Sequence, residues 1–137
     1  MKSAQIVVIE DNPADVLLIR KALEQNGIEH SLTRFENGAD AIRALCVDTY
    51  DEMLVPDAIL LDLSMPRMDG FTALHRLREV PRLAGVPIAI LTSSRDSQDK
   101  HRASIQGVRY IEKPSQLDDF LKSVGRAVKS MLKIPTR

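Results

Sequence analysis

Five short apolar segments recur along the chain, at residues 5–9, 30–35, 58–61, 86–92 and 108–111. The third segment is aliphatic without polar alternation, which is typical of a strand buried on both faces of a parallel sheet. Asp62 follows it directly, and Pro66 and Gly70 then indicate a loop. The pattern therefore predicts a central strand with a carboxylate at its carboxyl end.

Segments with helical spacing separate these strands. Asp11 or Asn12 can cap a first helix, which Pro13 suits at its first turn and Gly27 closes. Apolar residues three or four positions apart predict three more helices; they are Ala41, Ile42, Leu45 and Cys46, then Phe71, Leu74 and Leu77, then a stripe over residues 116–133. Residues 96–106 are polar and weakly periodic, and the remaining helix is predicted there.

Strands that alternate with helices predict an α/β fold, here a doubly wound (βα)5 domain with helices on both faces of a five-stranded parallel sheet. For such a flavodoxin-like sheet we adopt the strand order 2-1-3-4-5 from known folds, which places the ligand crevice between strands 1 and 3. The acidic stretch at residues 48–57 is expected to be a surface excursion before the third strand.

Composition narrows the class of protein. The 137 residues predict one domain over 1–137 with no output domain. Nineteen Lys and Arg balance nineteen Asp and Glu, so net charge favours neither nucleic acid nor a membrane surface. Cys46 is the only cysteine, and no signal peptide or bilayer-spanning segment is evident. We expect a cytoplasmic protein that binds neither nucleic acid nor membrane directly.

In the adopted order, the strand ends bring five side chains to one edge of the sheet: Glu10, Asp11, Asp62, Thr92 and Lys113. Crowded carboxylates repel one another unless a cation or a shared proton relieves them, and Mg²⁺ is the usual cation beside a phosphoryl group. A carboxylate in this setting can attack an activated phosphoryl group and form an acyl phosphate. Mg²⁺, the Lys113 ammonium and the Thr92 hydroxyl would neutralise and position the phosphoryl oxygens.

Each of these residues alone has an ordinary structural explanation. Glu10 and Asp11 suit a strand end and a helix cap, and Asp62 suits a loop. A threonine is usually a strand or turn hydroxyl, and a lysine is usually a surface cation. The five together at the ends of different predicted strands are what indicate a site.

The motifs that carry chemistry are Glu10-Asp11, the run LDLSMPRMDG around Asp62, Thr92-Ser93, and Tyr110 three residues before Lys113-Pro114. In this combination the chain resembles, over essentially its whole length, the response-regulator receiver domain of bacterial two-component signalling. The resemblance implies a CheY-like fold in which a partner histidine kinase phosphorylates Asp62. It also implies that Glu10, Asp11, Asp62 and the Ser64 backbone carbonyl hold Mg²⁺.

By the same resemblance, Thr92 and Lys113 contact the phosphoryl group, and the Lys113-Pro114 peptide bond is expected to be cis. Tyr110 matches the aromatic switch position of the family. Phosphorylation would draw Thr92 inward, and Tyr110 would rotate into the space, so that the face formed by the fourth helix, fifth strand and fifth helix changes shape.

A narrower resemblance concerns the partners of the chain. The start Glu10-Asp11-Asn12-Pro13-Ala14-Asp15, the excursion before the third strand and the expected lack of an output domain together resemble stand-alone regulators paired with bacteriophytochrome-type kinases. That resemblance implies a homodimer through the signalling face. Lys122, Arg126, Lys129 and Lys133 share one face of the last helix. That face is either solvated, complementing the helix dipole, or a docking surface for a partner or a second copy.

Two other functions compete with the phosphoacceptor. A degenerate receiver could act as a phosphorylation-independent docking module for an unknown downstream protein, although the complete set of acidic, Thr and Lys residues argues against it. A doubly wound enzyme or nucleotide binder would need a glycine-rich phosphate loop after the first strand, where Glu10-Asp11-Asn12-Pro13 stands instead.

Overall fold

The computed structural model of the protein describes residues 3–45, 55–63, 69–93 and 96–133. Its strands are β1 (Ala4–Ile9), β2 (His30–Phe35), β3 (Ala58–Asp62), β4 (Ile88–Thr92) and β5 (Arg109–Glu112). Its α-helices are α1 (Pro13–Gln25), α2 (Gly38–Leu45), α3 (Gly70–Arg78), α4 (Ser97–Ile105) and α5 (Leu117–Met131). A short 3-10 turn over Pro81–Leu83 precedes β4.

The five strands form one parallel sheet in the order β2-β1-β3-β4-β5, so the predicted fold and strand order are confirmed. β3 lies at the centre, with Ile9 of β1 beside Leu61 and with Leu91 of β4 beside Asp62. Because all strands run the same way, their carboxyl ends meet at one edge of the sheet. That edge carries the residues singled out by the sequence.

The core is divided between the two faces of the sheet. Successive residues of β3 point to opposite faces, so Ile59 and Leu61 pack with α2 and α3, whereas Ala58 and Leu60 pack with α1 and α5. All five residues of β3 and all five of β4 are buried. This double burial explains the continuous apolar runs, because neither face of the central strands meets water.

The predicted segments differ from the observed ones mainly at their ends. The fourth strand begins at Ile88 rather than residue 86, because the Val86 amide donates to the Leu83 carbonyl within the preceding turn and Pro87 has no amide proton. Residues 46–54 lie outside the described residues. They include Cys46 and most of the excursion predicted at residues 48–57.

The weakly periodic segment at residues 96–106 contains the helix α4. Because so little of α4 is buried, few of its positions need to be apolar, which explains the weak pattern. Of the nine residues of α4, only Ala103 is buried. By contrast α5 buries a full stripe, while Lys122 and Arg126 on its basic face are exposed. Among the described helices, none combines the length and the apolar character needed to cross a membrane.

Candidate functional site

The acidic pair after β1 is held by the start of α1. Asn12 is the N-cap, and its side chain accepts a 2.9 Å hydrogen bond from the Ala14 amide. Pro13 at the first helical position fixes the backbone where no amide donor is needed. The Glu10 amide donates to the Phe35 carbonyl of β2 at 3.0 Å. Glu10 is thereby kept buried at the sheet edge, and Asp11 beside it is exposed.

The other predicted residues lie at the ends of the next strands. Asp62 ends β3 and is 6% exposed, and Thr92 ends β4 and is fully buried. The backbone amide of Lys113 donates a 2.7 Å hydrogen bond to the Thr92 carbonyl, which ties the segment after β5 to the end of β4. The structure therefore brings Lys113 over the acidic edge from the far side of the sheet.

The Lys113 ammonium is the centre of the charged cluster. Its Nζ lies 2.7 Å from Oε1 of Glu10 and 2.6 Å from Oδ2 of Asp15, and 3.7 Å from Oδ2 of Asp62. The first two distances are charge-assisted hydrogen bonds, whereas the third is longer than a hydrogen bond. Lys113 thus neutralises Glu10 and Asp15 directly and Asp62 only through space.

Glu10, Asp11 and Asp62 form a cluster suited to a cation. One carboxylate oxygen from each lies within 4.8 Å of the others. Hard oxygen donors, two of them from buried residues and one exposed to solvent, match a small divalent cation that keeps part of its water shell. The three residues therefore fit the metal that the sequence predicts at this edge.

The protonation equilibria reflect the same crowding. Burial raises the pKa of Glu10 to about 8, the nearby Asp62 carboxyl adds to the rise, and Lys113 opposes it. Burial alone would lower the pKa of Lys113, but its hydrogen bonds to Asp15 and Glu10 outweigh that effect and raise the pKa. Three acids, Glu10, Asp15 and Asp62, lie within 4 Å of this one ammonium, and a divalent cation would relieve the crowding of acidic groups at this edge.

Two residues of this site were missed by sequence reasoning. Asp15 lies in the first turn of α1, where an acid is ordinarily explained by the helix dipole. Arg34 of β2 donates from Nε to the Glu10 carbonyl at 3.0 Å and from Nη2 to the Asp11 carbonyl at 2.9 Å. Arg34 thus holds the backbone of the acidic pair in place. The alternation of apolar and polar residues along β2 gives no indication of that role.

Three further predictions concern Ser64, the Lys113-Pro114 peptide bond and Tyr110. Ser64 lies outside the described residues. The described residues contain no cis peptide bond, so the expectation for Lys113-Pro114 was wrong; the trans isomer is the lower-energy form of most X-Pro bonds. Tyr110 lies on β5 beside Ile90 of β4, half-buried against the core that also contains Ala103 of α4.

Comparison with known proteins identifies the family of this chain. Residues 6–125 match the family described as response regulator receiver domain. The chain belongs to that family. The response regulator Rcp1 of Synechocystis sp. (strain ATCC 27184 / PCC 6803 / Kazusa) is 31% identical over 121 residues, which cover 87% of this chain and 82% of Rcp1.

Solved receiver structures agree with this assignment. The phosphorylated cyanobacterial phytochrome response regulator RcpA has a TM-score of 0.86 at 29% identity, covering 98% of each chain. The Mn²⁺-bound form of Rcp1 has a TM-score of 0.83 at 30% identity, covering 97% of each chain. A third structure, the receiver domain of the histidine kinase PA1611 of Pseudomonas aeruginosa PAO1, has a TM-score of 0.69 at 26% identity, covering 91% of this receiver and 97% of that one.

Two of these neighbours contain a metal. Rcp1 was solved with Mn²⁺, and the PA1611 receiver was solved with a magnesium ion coordinated in its active-site cleft. Both are hard divalent cations, and the cluster of Glu10, Asp11 and Asp62 in this receiver offers the oxygen ligands that such cations bind.

Proposed function

We propose that this receiver is a two-component phosphoacceptor in which Asp62 takes a phosphoryl group from a histidine kinase in the presence of Mg²⁺. The observation that carries the proposal is the position of Asp62. Its buried carboxylate lies within 4.8 Å of the oxygens of two further acids and 3.7 Å from the Lys113 ammonium. A carboxylate so placed has both a candidate cation site and a positive charge close to it.

In the proposed reaction, a carboxylate oxygen of Asp62 attacks phosphorus of a phosphohistidine. The new O–P bond forms as the P–N bond breaks, and the histidine nitrogen leaves with the bonding electron pair and takes a proton from water. Mg²⁺ held by Glu10, Asp11, Asp62 and the Ser64 carbonyl would neutralise phosphoryl oxygens when bound. Lys113 and the Thr92 hydroxyl are proposed to contact the remaining oxygens.

The proposed output is a change in the surface formed by α4, β5 and α5. α4 is weakly anchored, with Ala103 as its one buried residue, so little buried area resists its displacement. Tyr110 is half-buried in β5 and packs against the same core cluster as Ala103. Movement of Thr92 toward the phosphoryl group would alter the space beside Tyr110, and the added charge would bias the packing of this face.

The kinase is proposed to be of the bacteriophytochrome type. The support is the similarity to RcpA, a cyanobacterial phytochrome response regulator, along nearly the whole chain. Phosphotransfer from a purified phytochrome-type kinase should then exceed transfer from unrelated histidine kinases under the same conditions. Equal or slower transfer from the phytochrome-type kinase would remove this part of the proposal.

Intact mass spectrometry tests the central claim. Incubation with acetyl phosphate should add one phosphoryl group when Mg²⁺ is present and none when it is chelated. The adduct should be lost in Asp62→Asn and kept in Asp118→Asn, a matched change at an exposed acid in the first turn of α5. Folded wild type that takes no phosphoryl group from either acetyl phosphate or phosphorylated kinases would favour the docking module.

A further inference from the structure

Arg34 of β2 reaches the acidic pair Glu10-Asp11 from the neighbouring strand. Its register partner in β1 is Val8, so Glu10 lies two residues, or about 7 Å, further along the sheet. The long side chain covers that distance, with Nε donating to the Glu10 carbonyl at 3.0 Å and Nη2 to the Asp11 carbonyl at 2.9 Å. One guanidinium, 26% exposed, therefore holds two successive peptide groups.

The three residues that follow β1 are anchored in different ways. Glu10 is held by its side chain, which is buried and accepts a 2.7 Å hydrogen bond from Lys113. Asn12 is held as the N-cap of α1. Asp11 between them is exposed, so packing does not fix its side chain, and its carbonyl is the group that Arg34 holds. Arg34 is therefore the contact that bears most directly on Asp11.

The backbone at Asp11 matters because its carboxylate belongs to the candidate metal cluster. An aspartate side chain is short and occupies a few staggered rotamers, so the place of its carboxylate follows the backbone. One oxygen of that carboxylate lies within 4.8 Å of oxygens of Glu10 and Asp62. A rotation of the peptide after Asp11 would carry the oxygen away from the cluster. The guanidinium opposes such a rotation, because its rigid fork is hydrogen-bonded to two adjacent carbonyls at once.

We propose that Arg34 is a positioning residue that holds the Asp11 carboxylate in place for the divalent cation, through its paired hydrogen bonds to the carbonyls of Glu10 and Asp11. The inference deepens the proposed function and rests on it for the part that the cation plays in phosphoryl transfer. Cation binding can be measured in the unphosphorylated protein, so the role of Arg34 is testable separately from the reaction.

The positive charge of Arg34 acts on the cation in the opposite direction. A guanidinium close to the cluster repels a divalent cation, so loss of the charge alone would tighten Mg²⁺ binding. Loss of the positioning contact would weaken it. Arg34→Met removes both the charge and the contact, whereas Arg34→Lys keeps the charge and loses the two-pronged contact. The sign of the change in affinity therefore separates the two effects.

Calorimetric titration with Mg²⁺, under conditions where circular dichroism shows each variant folded, measures that sign. Arg34→Met and Arg34→Lys should each weaken Mg²⁺ binding by about three- to tenfold. This is less than the loss of tenfold or more that is typical when a partner of the ligand atoms themselves is removed, because Arg34 acts through the backbone. Unchanged or tighter binding in either variant would overturn the proposal.

Two control variants separate positioning from other effects of the substitution. Arg43→Met removes an exposed arginine that pairs with Asp40 on α2. Ile19→Val changes a fully buried side chain of α1 and should cost about 0.5–1.5 kcal/mol of stability, comparable to the loss of the Arg34 hydrogen bonds. Both should bind Mg²⁺ within about twofold of wild type. Weakening by Ile19→Val as large as that by Arg34→Met would show that lost stability explains the effect, and would overturn the proposal.

Crystal structures of metal-free wild type and Arg34→Met test the contact directly. In the variant, the Asp11 carboxylate should leave the cluster, so that its oxygens lie beyond 4.8 Å from those of Glu10 and Asp62. An Asp11 carboxylate that keeps its wild-type place would overturn the positioning role. Failure of Asp62 to accept a phosphoryl group, with Mg²⁺ binding weakened in the Arg34 variants, would instead overturn the proposed function and leave the role of Arg34 standing.

Discussion

Lys113 donates a 2.7 Å hydrogen bond to Glu10, which lies 103 positions earlier in the chain. The bond joins the segments that follow β1 and β5, two strands separated in the sheet by β3 and β4. Both side chains are largely buried, with 2% of Glu10 and 15% of Lys113 exposed. The Lys113 ammonium therefore depends on the acids at this edge for compensation, and Glu10, when ionised, depends on Lys113 or a bound cation.

Lys113→Ala should destabilise the metal-free protein by about 1–3 kcal/mol, less than for a fully buried pair, because the acids at this edge lose their shared positive charge. Saturating Mg²⁺ should restore part of that loss, since a cation that binds only the folded state adds stability. Chemical denaturation with and without Mg²⁺ measures both effects. Lys122→Ala, at an exposed residue of α5, should change stability by less than about 0.5 kcal/mol. An identical loss with and without Mg²⁺ would count against the charge explanation.

Glu10 should make the stability of the metal-free protein depend on pH. Burial raises its pKa from 4.5 to about 8 in the folded protein, so between these values the folded state binds more protons than the unfolded state. The free energy of unfolding contributed by this group is therefore fully present below about pH 4.5 and is lost as pH rises through about 8. Denaturant titrations in chelator should show this fall.

Glu10→Gln is the matched variant for that pH dependence, because it keeps the shape and removes the titration. The difference in unfolding free energy between wild type and Glu10→Gln should become less favourable to wild type as pH rises from 5 to 8. A difference that is flat over this range would show that Glu10 titrates near its ordinary pKa in the folded protein.

The fold and the placement of most of the candidate site residues could be predicted from the sequence. Strand ends of a parallel sheet converge on one edge, so Glu10, Asp62 and Thr92 could be placed together once the strand order was adopted from known folds. Lys113 could be placed there too, because it follows the last strand. These predictions needed the strand positions and the adopted strand order, but no knowledge of side-chain conformations.

Asp15 and Arg34 could not be found in this way. Their roles depend on side-chain directions: Asp15 reaches back from the first turn of α1 to Lys113, and Arg34 reaches from edge strand β2 to two backbone carbonyls. A first-turn acid and a strand arginine both have ordinary explanations in sequence. The bond at Lys113-Pro114 is trans, the lower-energy form of most X-Pro bonds, and the cis expectation came from the family resemblance alone.

Arg34→Met should destabilise the protein by about 1–2 kcal/mol, because the carbonyls of Glu10 and Asp11 lose hydrogen bonds from a guanidinium. Arg34→Lys should recover only part of the loss, since a single ammonium cannot reproduce the two-pronged contact. Denaturant unfolding compares these variants with Arg43→Met, which removes an exposed ion pair and should cost less than about 0.5 kcal/mol. Full recovery by Arg34→Lys would show that charge alone matters.

Gly70 lies against the end of β3, the strand that carries Asp62. A Cβ added there would stand 2.7 Å from Cα of Leu63 and 2.9 Å from the carbonyl oxygen of Asp62. These are backbone atoms, so Gly70→Ala must displace the end of β3 or the start of α3. We expect a loss of about 1–3 kcal/mol in denaturant unfolding and slower phosphorylation by acetyl phosphate. Gly85→Ala meets nothing within 4 Å and should leave both measurements near wild type; equal behaviour of the two variants would mean that the close packing beneath Asp62 does not constrain it.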